Sequence, residues 1–175
     1  MSEKQLIKGC LNGDRGAQEE LYNLYSRKMM GLCMRYVGDR ETARDLLQDG
    51  FIKVFTSLKF FSGAGSFESW MRKIFVNVTM EHFRKKDFLY DTVDLDSVQF
   101  STDDNSTVSR LSAEMIMELV QQLPEGFRTV FNLFAVEGYS HKEIGEMLQI
   151  SEVTSRSQYA RARQWLQKRM KEIGE

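Results

Sequence analysis

Apolar residues recur along most of this chain at intervals of three and four, the spacing that gathers them on one side of an α-helix. From Asp14 to about Tyr36 the stripe is Leu21, Leu24, Tyr25, Met29, Leu32 and Tyr36, closed by Gly38-Asp39. A second helix runs from near Asp39 to about Leu58, with Ala43, Leu46, Leu47, Val54, Phe55 and Leu58 turned inward. Asp45, Gln48, Asp49 and Ile52 project together on another side of it, which reads first as a plain solvated face, Ile52 among acids being only a weak sign of a docking surface. Phe60-Phe61-Ser62-Gly63-Ala64-Gly65-Ser66 breaks the period and predicts a flexible loop. Ser66 then stands where it can cap a helix that buries Phe67, Trp70, Met71, Ile74 and Val78.

That helix ends in a basic run. Arg72, Lys73, Arg84, Lys85 and Lys86 stand against one acid, Glu81, and Trp70, Phe75, His82 and Phe83 are interleaved with them. Cations that follow phosphates, set among rings that stack on bases, suit a strand of unpaired nucleotides. A core helix with a solvated basic end fits the same residues. From Asp87 to Arg110 the period disappears: Asp87, Asp91, Asp94, Asp96, Asp103 and Asp104 are spaced by Ser, Thr and Asn. Such a composition predicts a flexible acidic linker over 87–110, dividing residues 1–86 from residues 111–175.

A further helix, about Ser106 to Gln122, carries Leu111, Met115, Leu119 and Val120. Leu123-Pro124 stops it and starts another, because the residue before proline avoids the helical region while proline suits a first turn. Phe127, Val130, Phe131 and Phe134 give that helix its buried face, and Glu137-Gly138 turns the chain. A short helix from His141 to Leu148 follows, with Ile144, Met147 and Leu148 on one side; it breaks at Gln149-Ile150, and Ser151 caps a longer helix. This is a helix-turn-helix pattern. Tyr159, Ala162 and Leu166 turn inward, leaving Arg156, Ser157, Ala160, Arg161 and Arg163 on other faces. No acid occurs between Val153 and Lys171, a span that holds Arg156, Arg161, Arg163, Lys168, Arg169 and Lys171. Insertion into the major groove of DNA suits such a helix, and so does a solvated place in an ordinary bundle.

Charge and composition narrow the choice. The 175 residues sum to a formal charge of −1, so any affinity for nucleic acid must come from segregation of charge. One proline among them argues for long uninterrupted helices and an all-α fold of two small domains. Cys10 and Cys33 lack a CxxC partner and no secretory signal precedes them, which predicts reduced, buried thiols in the cytoplasm. No apolar run approaches the roughly twenty residues that span a bilayer. His82 and His141 fall in unrelated segments, and no phosphate cradle or paired-ligand motif occurs, so no catalytic residue, metal or cofactor is expected.

Several blocks together resemble the extracytoplasmic-function (ECF, group 4) sigma factors of the sigma-70 family. They are Ala43-Arg44-Asp45-Leu46-Leu47-Gln48-Asp49-Gly50-Phe51; Phe67-Glu68-Ser69-Trp70 with Ile74, Asn77, Glu81 and Arg84; and Leu123-Pro124-Glu125-Gly126-Phe127-Arg128. Glu137-Gly138-Tyr139-Ser140, Glu143-Ile144-Gly145, Ile150-Ser151-Glu152 and Ser157-Gln158-Tyr159-Ala160-Arg161-Ala162-Arg163 complete the set. The resemblance covers nearly the whole chain, with the blocks in order.

It implies that residues 1–86 are sigma region 2, with Asp45, Gln48, Asp49 and Ile52 gripping the clamp helices of the polymerase largest subunit. Phe61, Ser62, Gly63, Ser66, Trp70, Arg72, Lys73, Asn77, Arg84 and Lys85 would hold the minus-10 element as a melted strand. Residues 111–175 would be region 4, reading the minus-35 element as duplex through Lys142, Ser151, Val153, Thr154, Arg156, Ser157, Ala160, Arg161 and Arg163. Partners implied are core RNA polymerase, promoter DNA and an anti-sigma factor, commonly membrane-anchored. A helical DNA-binding regulator acting beside a complete holoenzyme is the alternative. The chain departs from the family pattern at four positions. Gln149 stands where the turn usually has Gly or Asn, predicting a left-handed residue that costs about 1 kcal/mol. Val153 replaces a common glycine, Arg44 replaces an acid, and Gly50 lies inside a helix at about 1 kcal/mol relative to Ala.

Overall fold

The computed structural model describes residues 1–85 and 112–174, and within them the chain is helical throughout. The predicted acidic linker 87–110, the helix start at Ser106, Leu111 and the last cation of the basic run, Lys86, lie outside the described residues. Two compact units are distinguished, Met1–His82 and Phe83–Glu175.

α1 (Glu3–Leu11), α2 (Arg15–Val37), α3 (Arg40–Ser57) and all but the last three residues of α4 (Phe67–Lys85) make up the first unit, joined by short breaks, with one 3-10 turn at Leu58–Phe60. Each start has a local cause. Asp14 accepts from the Gly16 and Ala17 amides to open α2, and Asp39 accepts from Thr42 N at 2.8 Å to open α3. The periodicity above began only at Asp14, and α1 was not foreseen. Only Leu6 and Cys10 are buried along it, too few to show a period, and its placement depends on the Ser2–Gln5 capping box and on the Tyr25 hydroxyl donating to Glu3 at 2.5 Å.

Leu21, Tyr25, Met29, Leu32 and Tyr36 are buried as predicted, but Leu24 is 55% exposed. It lies 100° around the helix from Tyr25, away from the buried stripe. α3 buries Ala43, Leu46, Leu47, Val54 and Leu58, with Gly50 and Phe51 joining them while Phe55 is only half-buried. Gly50 is required by packing: a Cβ there would come within 2.2 Å of the Phe75 ring. The propensity cost expected for this glycine is thus offset by a close approach of α3 and α4.

α4 corrects part of the sequence reading. Phe67 and Met71 are buried, but Trp70, Ile74 and Val78 are half-buried, and Phe75, Val76, Met80 and Phe83 complete the inward set. Phe75 and Phe83, read above among rings free to stack on bases, are fully buried. Each such side chain contributes about 1.5–3 kcal/mol to the core, which outweighs any gain from leaving it exposed for a ligand. Cys10 and Cys33 are free and buried; burial pushes the Cys33 thiol up to about 12 and raises that of Cys10.

The second unit contains α5 (Ala113–Gln121), α6 (Glu125–Phe131), a π-helical segment (Asn132–Val136), α7 (His141–Leu148) and α8 (Glu152–Gly174). Leu119, Val120, Leu123, Phe127, Ala162, Leu166 and Met170 form its core, with Ile116, Phe131 and Trp165 packed against it. Met115, assigned above to the inward stripe, is largely exposed. Pro124 occupies the N-cap of α6 (φ −54, ψ 148) and not its first turn. Arg128, one turn on, is buried, and its guanidinium donates to the Gln121 carbonyl at 3.0 Å, closing the carboxyl end of α5 with a cation.

Candidate nucleic-acid interface

The helix-turn-helix forms where the sequence places it. Ser140 and Glu143 make a reciprocal capping box at the start of α7. Gln149 closes the helix in the left-handed region at φ 56, as the departure from Gly or Asn implied. Ser151 then accepts from Thr154 N at 3.0 Å to start α8. The turn is tight because Gly145 faces the Ile150 carbonyl, which a Cβ would approach to 2.7 Å.

A second tie crosses this junction. His141 Nδ1 is 2.9 Å from the hydroxyl of Ser155, a fully buried residue, while the imidazole lies parallel to Phe134 with centroids 4.3 Å apart. Tyr159 packs on the same rings, 4.5 Å from Phe134 and 5.7 Å from His141. Burial, followed by the charge of Arg156, holds the imidazole below its ordinary pKa, so it is a neutral strut at neutral pH.

With α8 so fixed, Val153, Thr154, Arg156, Ser157, Ala160 and Arg163 are exposed, as is Lys142 on α7, while Arg161 is half-buried. Val153 is 74% exposed, so burial does not account for an apolar side chain there. Thr154 and Ser151 share a hydroxyl contact of 2.8 Å. Sequence reasoning passed over Glu152, whose carboxylate takes a 2.5 Å hydrogen bond from Arg156. The i, i+4 spacing was the available signal. Arg156 holds the Glu152 carboxyl below the usual range.

Along α4, Trp70, Lys73, Asn77 and Arg84 recur on one side of the helix, at three-, four- and seven-residue spacings, and Lys73, Asn77, Arg84 and Lys85 are exposed. Arg72 is half-buried and falls well around the helix from Asn77, so it is not brought into that row. Above the start of α4, Phe61, Phe67 and Trp70 form a ring cluster with centroids 5.2–5.5 Å apart. Beside it the Ser62–Ser66 loop is exposed, with Gly63 and Gly65 at positive φ and Ser66 capping α4 through Ser69 N at 3.1 Å. Asp45, Gln48, Asp49 and Ile52 share an exposed side of α3, Ile52 being 55% exposed. Gln48 and Ile52 also border a groove of about 660 Å³ between α2 and α3, rimmed by Arg27, Arg40 and Arg44.

Chemically, one unit offers cations and rings beside an adaptable loop, and the other a rigidly held basic helix. Among the described residues no cluster of His, Cys, Asp or Glu could hold a metal ion, and no helix is long and apolar enough to cross a membrane.

Two family models match: the one described as Sigma-70 region 2 over residues 21–88, and the one described as Sigma-70, region 4 over residues 113–166. Over 98% of its length the chain is 30% identical to the RNA polymerase sigma-H factor of Pseudomonas aeruginosa, of which it covers 95%. It is 28% identical to the ECF RNA polymerase sigma factor SigW of Bacillus subtilis, with 99% of each chain covered. A solved structure of CnrH in complex with the cytosolic domain of CnrY has a similar fold, at 19% identity and a TM-score of 0.51 over 97% of both chains. RpoE of Bartonella quintana, solved with the anti-sigma factor NepR, gives the same TM-score and identity over 87% of this chain and 96% of that one. This chain therefore belongs to the sigma-70 family of RNA polymerase sigma factors, in its ECF group.

Proposed function

We propose that this chain is not an enzyme but a cytoplasmic initiation factor that directs core RNA polymerase to promoters, reading the minus-35 element as duplex and the minus-10 element as melted strand. The observation that carries this reading is the presence, on one nearly neutral chain, of two differently built exposed basic surfaces, one on α8 and one on α4. The exposed side of α8 suits a major groove, where Arg156 and Ser157 reach base edges while Lys142, Arg161 and Arg163 meet phosphates. A melted strand suits the α4 row instead. Extruding a base costs a few kcal/mol, and Trp70 with Phe61 offers it a ring surface while Lys73, Arg84 and Lys85 track the backbone. Asn77 supplies amide donors and acceptors within that row.

Core polymerase docks on Asp45, Gln48, Asp49 and Ile52, and holding both readers on one enzyme makes two weak contacts effective together. Residues 1–86 act as region 2, 87–110 as the acidic linker and 111–175 as region 4. An anti-sigma factor, membrane-anchored or free, restrains the chain by covering these faces. Its support is the pair of solved structures of similar fold, CnrH with the cytosolic domain of CnrY and RpoE with the anti-sigma factor NepR.

Adding the purified chain to core polymerase should produce initiation at a defined set of promoters in genome-wide run-off transcription. A folded chain that gives no promoter-specific start overturns the reading. A regulator acting beside a complete holoenzyme would leave the α3 face unused, and would fail to compete with another sigma factor for core enzyme.

A further inference from the structure

Glu152 is the one acid on the exposed start of α8, and it is held against a side chain assigned to base reading. Its carboxylate and the Arg156 guanidinium are in hydrogen-bond contact across one helical turn, and both side chains remain substantially exposed, at 44% and 63%. An exposed i, i+4 pair of this kind is held loosely enough to open against better partners. The two groups are opposite in what they accept from a base edge. A guanidinium fork matches the O6 and N7 acceptors of guanine, whereas a carboxylate has no proton to give and can only accept. In the major groove the donors are the exocyclic amino groups, N4 of cytosine and N6 of adenine; guanine O6 and thymine O4 would face it with negative charge.

Spacing sets how far apart those bases lie. One turn advances about 5.4 Å along a helix, against about 3.4 Å per base step, so side chains one turn apart meet base pairs one or two steps apart. Glu152 also lies within the field of Lys142, so its charge does not stand alone at the start of α8.

We propose that Glu152 is a specificity-determining residue. While Arg156 takes a guanine, the Glu152 carboxylate accepts from cytosine or adenine one or two steps away and excludes guanine and thymine from that position on the strand it faces. This rests on α8 reading duplex DNA, as set out above. In the free chain the pair serves a second end, since Arg156 is neutralised by Glu152 until a guanine offers it two acceptors at once, which lowers attraction to arbitrary duplex.

The test uses the full chain with core polymerase and a duplex library randomised across the minus-35 element. Wild type should require guanine at one position and discriminate by about tenfold for amino-bearing bases at a second. Glu152→Ala should lose the second preference and keep the first, and Arg156→Ala should do the reverse. Glu152→Lys should invert the second preference towards guanine or thymine, a change that loss of structure would not produce. Unchanged preference at every position in Glu152→Ala, or a Glu152→Lys variant that binds without inversion, overturns the proposal. Wild type that selects no sequence at all would instead remove the duplex-reading function on which it rests.

Discussion

Two breaks in the chain, one in each unit, are built from the same parts and behave as opposites. The first, Phe61 to Ser66, ends a helical segment, passes through left-handed residues and restarts on a serine cap; the second, Gln149 to Ser151, does the same. At Gly63 and Gly65 a side chain would meet nothing within 4 Å, whereas beside the second break a Cβ on Gly145 would press to 2.7 Å on the Ile150 carbonyl. The left-handed backbone keeps the first segment open and pulls the second one shut. An open segment suits a single strand whose bases have no fixed arrangement, and a shut one suits a duplex whose groove demands a set angle between two helices.

The comparison breaks most sharply at Gly145. Gly145→Ala should destabilise the second unit by about 2 kcal/mol, because a backbone carbonyl cannot swing aside as a side chain would. Fluorine-labelled tryptophan separates the units, since Trp70 reports on the first and Trp165 on the second. In urea titration the Trp165 signal should shift to lower denaturant while that of Trp70 stays. Gly63→Ala should cost less, about 1 kcal/mol, arising from left-handed strain with no clash, and should move the Trp70 transition alone. Equal effects from the two substitutions would erase the distinction between the breaks.

The smallest effect is in pH. The His141 imidazole is held below its ordinary value, so the folded unit favours its neutral form. The stability this contributes is complete above the unfolded pKa of about 6.5 and is lost as pH falls through the lower, folded value. Between neutral pH and pH 5.5 the Trp165 transition should therefore drift to lower urea, and His141→Phe, which keeps a ring beside Phe134, should flatten the drift.

Much of this architecture could be read from the chain alone. The α2, α3, α7 and α8 starts were legible because clear apolar stripes open there, Ser151 reading as a cap for the last, and the left-handed turn at Gln149 followed from its position. Helix α1 was not legible, because its nine residues bury only two side chains and are placed by distant partners, among them Tyr25. Phe75 and Phe83 misled for a related reason: an aromatic among lysines looks the same in sequence whether it faces a core or a ligand. Nothing in composition could reveal that His141 meets Ser155, since fourteen residues separate them. Glu152 was within reach, being four residues from Arg156, but attention to cations alone passed over it.

The missing side chain at residue 50 has a consequence for the first unit as a whole. With only hydrogen on the α3 backbone at this point, the Phe75 ring of α4 rests directly on it and is the single layer between the two helices. The side of α3 assigned to polymerase and the side of α4 assigned to the melted strand are thereby locked at one separation. On the proposed assignment of those two faces, the spacing between them is set by an atom that is absent.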